Sequence, residues 1–387
     1  MLPLCFKMIK SFYKILAFYC CTILLIFPNC KSSKQLCCEA SEVISYSQHP
    51  RMNENRFEID SSINISHIRK KYSENPINRA LGYFHFTKNE KNYLSYINVS
   101  MDSLIFINII DSTDFHRSVI TNYLNKGDAY NCRIINDTLH LINNRTFIYT
   151  QLKIHEDFSL TKIFILDLSK IINFKGLYLF GNYFIDKNIE FSYPHLVLTY
   201  GDFKTGNNNG KSVYFVIDIK TGDFKKRLDF PDKYKNCELR TPYSISEKIN
   251  KDYIVTVFPK SDELFCWNIQ TGTIKHEEHN FNFVSEFMCF HRDMNRNLAA
   301  ARKYDLNDED NSNLIYNGKY IYLIKRLRKE TKNEPTKAAV LVFNDSLKHV
   351  GSIFPEYEAW PRMSFPYKNG IVLFGSNTYK AYYYVFE

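Results

Sequence analysis

The chain has 387 residues, 45% of them hydrophobic and 24% charged, with 28 Tyr, 31 Phe and a formal net charge of +9. A composition so rich in aromatic residues and Ile favours sheet and supplies a large core. The modest charge, with no long Lys/Arg tract, argues against a dedicated nucleic-acid or polyanion binder and for a solvated, mildly basic surface.

At the amino end, Lys10 and Lys14 precede an apolar stretch from Ile15 to Phe27 and then Cys30. A membrane-spanning helix needs ~20 apolar residues, so this shorter stretch reads as an export signal. Met8 is an alternative start. Residues 1–29 are expected to leave, and the loss of Lys7, Lys10 and Lys14 lowers the formal charge from +9 to +6. Residues 30–56 are polar with no sustained apolar period, as in a flexible tether, and residues 57–387 form the folded body.

Six times in that body a run of apolar or aromatic residues closes on a polar residue and a turn: Ile105 to Ile110, Ile163 to Leu168, Val213 to Ile219, Leu264 to Ile269, Ala339 to Asp345 and Tyr382 to Glu387. Four-stranded propeller blades repeat every ~40 to 50 residues, and most of these intervals are close to that. The chain is therefore expected to be all-β, a β-propeller of six four-stranded blades.

The first blade takes strands near Tyr83 to Thr87, Tyr93 to Val99, Leu104 to Ile109 and Phe115 to Thr121. The second takes Arg133 to Ile135, Thr138 to Asn143, Lys162 to Leu168 and Asn173 to Leu179. In the third and fourth blades, Thr221-Gly222 and Thr271-Gly272 occupy equivalent third-to-fourth-strand turns, with Gly where a tight hairpin needs a positive φ. The sixth blade reaches Glu387 with no residues left for an outer strand. Phe57 to Ile65 is the natural donor, closing the ring and removing an open sheet edge. The competing parse is an open or seven-bladed arrangement in which Phe281 to Lys303 adds a partial blade.

Three long insertions, Asn144 to Thr161, Asp202 to Lys211 and Arg328 to Lys337, are all placed between second and third strands and so on one rim. Loops on a rigid scaffold carry binding groups, so this rim is the expected working face, with Lys204, Lys211, Arg328, Lys329 and Lys332 as candidate binding residues. Lys325 and Arg326 begin the same basic run.

No motif assigns a catalytic residue. His291-Arg292-Asp293 lacks the companions of a kinase loop, and His276 and His279 would point to opposite faces of a strand. The acidic loop Asp305 to Asn311 has Asp310 where a calcium loop needs Gly. His85 and His291 fall in or near inner strands without a carboxylate or nucleophile at a telling spacing. Of the ten cysteines, Cys132, Cys237, Cys266 and Cys289 lie scattered through the repeats with no metal-ligand spacing, and Cys266 reads as a small buried hydrophobe. Neither a cofactor nor a metal is expected.

The leader ending at Cys30 resembles that of bacterial lipoproteins, in which the cysteine becomes the lipidated first residue, although Phe27, Pro28 and Asn29 are bulkier than usual there. With the short tether and the aromatic repeats, the whole chain resembles the six-bladed propeller lipoproteins of Bacteroides-type bacteria that are grouped under domains of unknown function. The resemblance implies fold and address, and carries over no active-site positions. The basic start Lys31 to Lys34, in place of an acidic one, implies an outer-membrane anchor facing the periplasm. The expected function is that of a membrane-tethered, monomeric binding or assembly module for a protein or glycan. The alternative is a periplasmic hydrolase or lyase acting on a sugar or peptide.

Overall fold

A computed structural model describes residues 57–64, 80–98, 103–111, 113–125, 128, 130–172, 177–179, 189–202, 211–229, 231, 244–258, 261, 263–279, 310–327, 337–355, 364–375 and 380–386. The strands form six antiparallel sheets. Blade 1 is β2 (Ala80–Lys88), β3 (Lys91–Asn98), β4 (Ser103–Asn108) and β5 (Phe115–Val119), from the inner strand outward. Blade 2 is β6 (Tyr130–Ile135), β7 (Thr138–Asn143), β8 (Ile148–Ile154) and β9 (Leu160–Asp167). Blade 3 has an inner strand in two pieces, β10 (Leu177–Leu179) and β11 (Ile189–Ser192), both paired to β12 (His195–Asp202), followed by β13 (Lys211–Asp218) and β14 (Phe224–Leu228).

Blade 4 is β15 (Ile245–Lys248), β16 (Tyr253–Val257), β17 (Glu263–Asn268) and β18 (Ile274–Glu278). Blade 5 is β19 (Asp310–Tyr316), β20 (Tyr320–Arg326), β21 (Ala338–Asn344) and β22 (His349–Ile353). Blade 6 is β23 (Phe365–Tyr367), β24 (Gly370–Phe374) and β25 (Lys380–Phe386), completed on its outer edge by β1 (Phe57–Asn64), with Phe57 opposite Phe386 and Asn64 opposite Lys380. The expected closure by an N-terminal strand is thus the observed one.

Each strand alternates its side chains between two faces, and in a ring both faces are covered by neighbouring blades. On β4, Leu104 and Phe106 pack toward blade 2 while Ile105 and Ile107 pack toward blade 6, so all six residues are buried. The unbroken apolar phrases follow from this double burial. Six core clusters fill the seams 1–2, 2–3, 3–4, 4–5, 5–6 and 6–1. Blades 4 and 5 share one of those clusters directly, through Val255, Leu264, Leu323 and Leu341, which leaves no place for a seventh blade between them.

The polar residue that closes most phrases has a mechanical role. Asn108, Asp218, Asn268 and Asn344 each accept backbone N–H bonds from the turn that follows, at 2.8 to 3.2 Å. These side chains replace ladder partners lost where the strand ends. Gly222 and Gly272 both sit at φ +75°, as their turns require. Gly370 has another reason: a Cβ there would lie 1.9 Å from the Tyr384 carbonyl oxygen on the paired strand.

Blade 2 departs from expectation. Its third strand is β8, and the phrase Ile163 to Leu168 belongs to the outer strand β9. Asn173 to Leu179 is not its fourth strand, because Leu177–Leu179 is the start of the next blade. The misleading signal is Asp167, which makes the same kind of turn at the end of an outer strand, accepting from the Ser169 N–H at 3.1 Å. The true third strand, IYTQLKI, hides because Gln and Lys interrupt its apolar residues. Asn144 to Thr161 is therefore no insertion, and it holds a tight turn, β8 and the start of β9.

Candidate functional site

Connections between first and second strands and between third and fourth strands emerge on one rim, and all of them are short. The opposite rim carries the second-to-third connections, which are long in blade 3 (203–210) and blade 5 (327–337). Lys211 begins β13 opposite Asp202, at the base of the first of these loops. Lys204, Arg328, Lys329 and Lys332 lie outside the described residues, as do Cys30 and His291. Lys325 is fully buried within β20 and Arg326 is half-buried, so the basic run does not present its first members outward. Asp310 and Asn311 are strand residues of β19, opposite Arg326 and Lys325. This ends the acidic loop earlier than the sequence suggests.

His85 is half-buried on β2, its ring stacked 4.2 Å from that of Phe365 across the 1–6 seam and its Nε2 2.9 Å from Asn92 Oδ1. That is a seam contact. His276 stacks on Phe265 of its own blade, whereas His279 leans on Phe343 of the next. Cys266 is buried, as expected, and unbridged, and burial pushes its thiol pKa up.

Sequence reasoning missed the polar cluster on the inner strands of blades 2, 3 and 4. Arg133 on β6 donates through Nη1 to Glu190 of β11 and to the Ile189 carbonyl (3.1 Å), and through Nη2 to Glu247 of β15 at 3.0 Å. One planar guanidinium thus joins three blades, a geometry that suits Arg and no other cation. Lys248 donates to the Phe191 carbonyl at 2.9 Å. Directly opposite Arg133 on β7 is His140, 1% exposed, whose Nδ1 lies 2.7 Å from the Tyr149 hydroxyl, which also accepts from Gln151 Nε2 at 2.6 Å. Burial, then the cations Arg133 and Lys248, hold the His140 pKa down at about 3, so its ring is neutral. The signal in the sequence is a lone ion within an apolar strand, Arg133 before Ile134-Ile135 and Glu190 between Ile189 and Phe191.

A second hub lies on the tight-turn rim of blade 1. Asp114 accepts from Lys91 Nζ at 2.7 Å, Tyr93 Oη at 3.0 Å and Asn108 Nδ2 at 3.0 Å, and its other oxygen is 2.7 Å from His116 Nε2. Burial alone would raise its pKa, but these donors outweigh it and bring Asp114 down to about 2. His116 stacks 3.7 Å from Phe158 of blade 2, so the hub also bonds two blades.

Chemically, both clusters are closed sets in which each charge meets an opposite charge or a protein dipole. Among the described residues, no three of His, Cys, Asp and Glu gather as a metal site.

No family profile and no curated protein matches the sequence. Among solved structures, the fold is similar to that of a DUF4221-family protein from Bacteroides vulgatus, at 13% identity and a TM-score of 0.60, over 86% of this chain and 98% of that one. Regucalcin, a calcium-binding protein from Agrobacterium tumefaciens, aligns at 10% identity and a TM-score of 0.41, over 79% and 90% of the two chains. Oligogalacturonate lyase from Vibrio parahaemolyticus aligns at 10% and 0.41, over 78% and 77%. These likenesses concern fold and not chemistry. The architecture is a six-bladed propeller of the kind seen in the Bacteroides protein, as the resemblance drawn from leader, tether and repeats implies.

Proposed function

We propose that the chain is a lipid-anchored protein of the cell envelope, held through Cys30, whose propeller is a binding module for a protein or glycan partner. One observation carries this reading over an enzymatic one. The ionisable side chains on the inner strands of blades 2 to 4 are engaged with one another and with backbone carbonyls, as Arg133, Glu190, Glu247 and Lys248 show, and His140 is neutral and hydrogen-bonded. An acid or base must be able to exchange its proton with substrate, and these groups hold strands together instead. The rim with the long loops 203–210 and 327–337 is the proposed capture surface.

The test is a pull-down of the full chain from its own envelope fraction. Replacing residues 328–337 by a tight turn, or reversing the charge of Lys204, Lys211, Arg328, Lys329 and Lys332, should abolish partner capture while leaving Tm nearly unchanged. Loop length enters stability only logarithmically. Capture that survives both changes in folded protein overturns the assignment of this rim. Cys30→Ala should leave the protein unlipidated, as read by the mass of its N-terminal fragment.

A further inference from the structure

The topology settles at which rim β1 begins. The connection from β24 to β25 lies on the long-loop rim, so β25 runs from that rim toward the tight-turn rim and reaches it near Phe386. β1 is antiparallel to β25 and pairs Phe57 with Phe386. The chain therefore enters the ring at the tight-turn rim, opposite the long loops.

That same rim carries most of the exposed apolar side chains. Of the nine large hydrophobic residues exposed among the described residues, Ile110, Tyr193, Phe224, Tyr253 and Ile274 lie at its turns or at the strand ends beside them. Val119 and Ile148 sit at the other end of their strands, and Ile163 and Ile165 on the outer wall of blade 2. Four of the five belong to the adjacent blades 3 and 4: Tyr193 is 57% exposed, Phe224 36%, Tyr253 41% and Ile274 45%.

These two blades are fastened together at this level. Ser192 Oγ donates to the Lys251 carbonyl at 2.8 Å, and Arg227 on β14 donates to the carbonyls of Ile269, Gln270 and Thr271 in the next blade's turn. The turns beside these four side chains are thus braced against one another. Exposed lysines flank the ring on the same rim: Lys220 Nζ lies 5.0 Å from the Tyr193 ring, Lys319 4.7 Å from Tyr320 and Lys368 5.4 Å from Tyr367.

We infer that the tight-turn rim at blades 3 and 4 rests on a lipid bilayer, with Tyr193, Phe224, Tyr253 and Ile274 in the headgroup region and Lys220, beside the Tyr193 ring, reaching lipid phosphates. The chemistry is that of an interfacial contact: Tyr places an apolar ring and a polar tip at the water boundary, and Lys extends an apolar stem with a charged end. Asp223 and Asp252 share the rim, so apolar insertion rather than bulk charge provides the attraction, and the contact should survive raised salt. The inference rests on the envelope reading above and deepens it, since it turns the long-loop rim away from the membrane and toward a partner.

The experiment is hydroxyl-radical footprinting of the full lipidated chain, in detergent and in vesicles of phosphatidylethanolamine and phosphatidylglycerol. In vesicles, labelling of Tyr193, Phe224 and Tyr253 should fall to the level of the buried Tyr149 and Tyr214, while Ile163 and Ile165 remain as reactive as in detergent. A variant carrying Tyr193→Ser, Phe224→Ser and Ile274→Ser with unchanged Tm should lose the protection of Tyr253. Equal labelling of Tyr193, Phe224 and Tyr253 in both states overturns the inference. So does protection that appears only in native envelopes and not in protein-free vesicles, which would assign the rim to a protein partner. The mass of the N-terminal fragment reports lipidation separately. If no lipid is found, the same footprint is taken on the full chain mixed with vesicles: protection still supports the docking surface, and none refutes it.

Discussion

Arg133→Met removes the guanidinium and keeps most of the side-chain volume. Glu190, with 3% of its side chain exposed, and Glu247, with 13%, would then hold two carboxylates away from water without their common cation. Breaking a buried ion pair by deleting one partner costs ~3–5 kcal/mol, because the remaining charge is uncompensated. A folded body of roughly 330 residues has an unfolding entropy that converts this to a fall in Tm of about 4–7 °C. The triple variant Arg133→Met, Glu190→Gln, Glu247→Gln removes the whole charge set and should recover most of the loss. Scanning calorimetry of the three proteins at neutral pH measures both steps. A single variant within a degree of the parent, or a triple variant less stable than the single, would refute the reading of Arg133 as the clasp of three blades.

Three further outcomes follow from the same structure. His140 is held neutral with its pKa at about 3, whereas an unfolded His binds a proton below ~6.5, so stability should fall as pH drops from about 6.5 toward about 3; His140→Gln should flatten that slope in denaturant titrations between pH 7 and pH 5. Asp114, lowered to about 2, contributes stability that is full above its unfolded pKa near ~3.9 and is lost as pH falls from there toward about 2; unfolding curves of Asp114→Asn should lack this acid-labile component. Gly370→Ala should fail to fold or lose more than about 3 kcal/mol, since its Cβ would meet the Tyr384 backbone, while Gly318→Ala, at φ +94° with open space around it, should cost only about 1 kcal/mol.

The ring, its blade number and its closing strand were legible because double burial writes continuous apolar runs and because Asn or Asp must satisfy the turn after them. The same device misled in blade 2, where Asp167 ends an outer strand. No period or composition could separate that strand from an inner one, since the difference lies in what covers its faces: Ile163 and Ile165 are half exposed although their residue types match those of β4. The cluster around Arg133 was illegible for another reason. Its members are 57 and 114 positions apart and meet only because inner strands of successive blades converge. The apolar set on the tight-turn rim likewise emerges only when Tyr193, Phe224, Tyr253 and Ile274, each unremarked alone in its turn, are placed on one side of the ring.

The pairing of β1 with β25 couples the earliest described strand to the latest. During synthesis, the edge that β1 will cover does not exist until nearly every other blade is made, so this strand must remain unpaired while five sheets form. Such a long-range pairing folds more slowly the more chain it must span, and an alternating strand such as FEIDSSIN, left waiting with its backbone unpaired, is open to wrong partners. The folding fate of the ring is thus decided in its last blade. A circular permutant that makes β1 continuous with β25 should reach the native state faster and aggregate less, with the finished architecture unchanged.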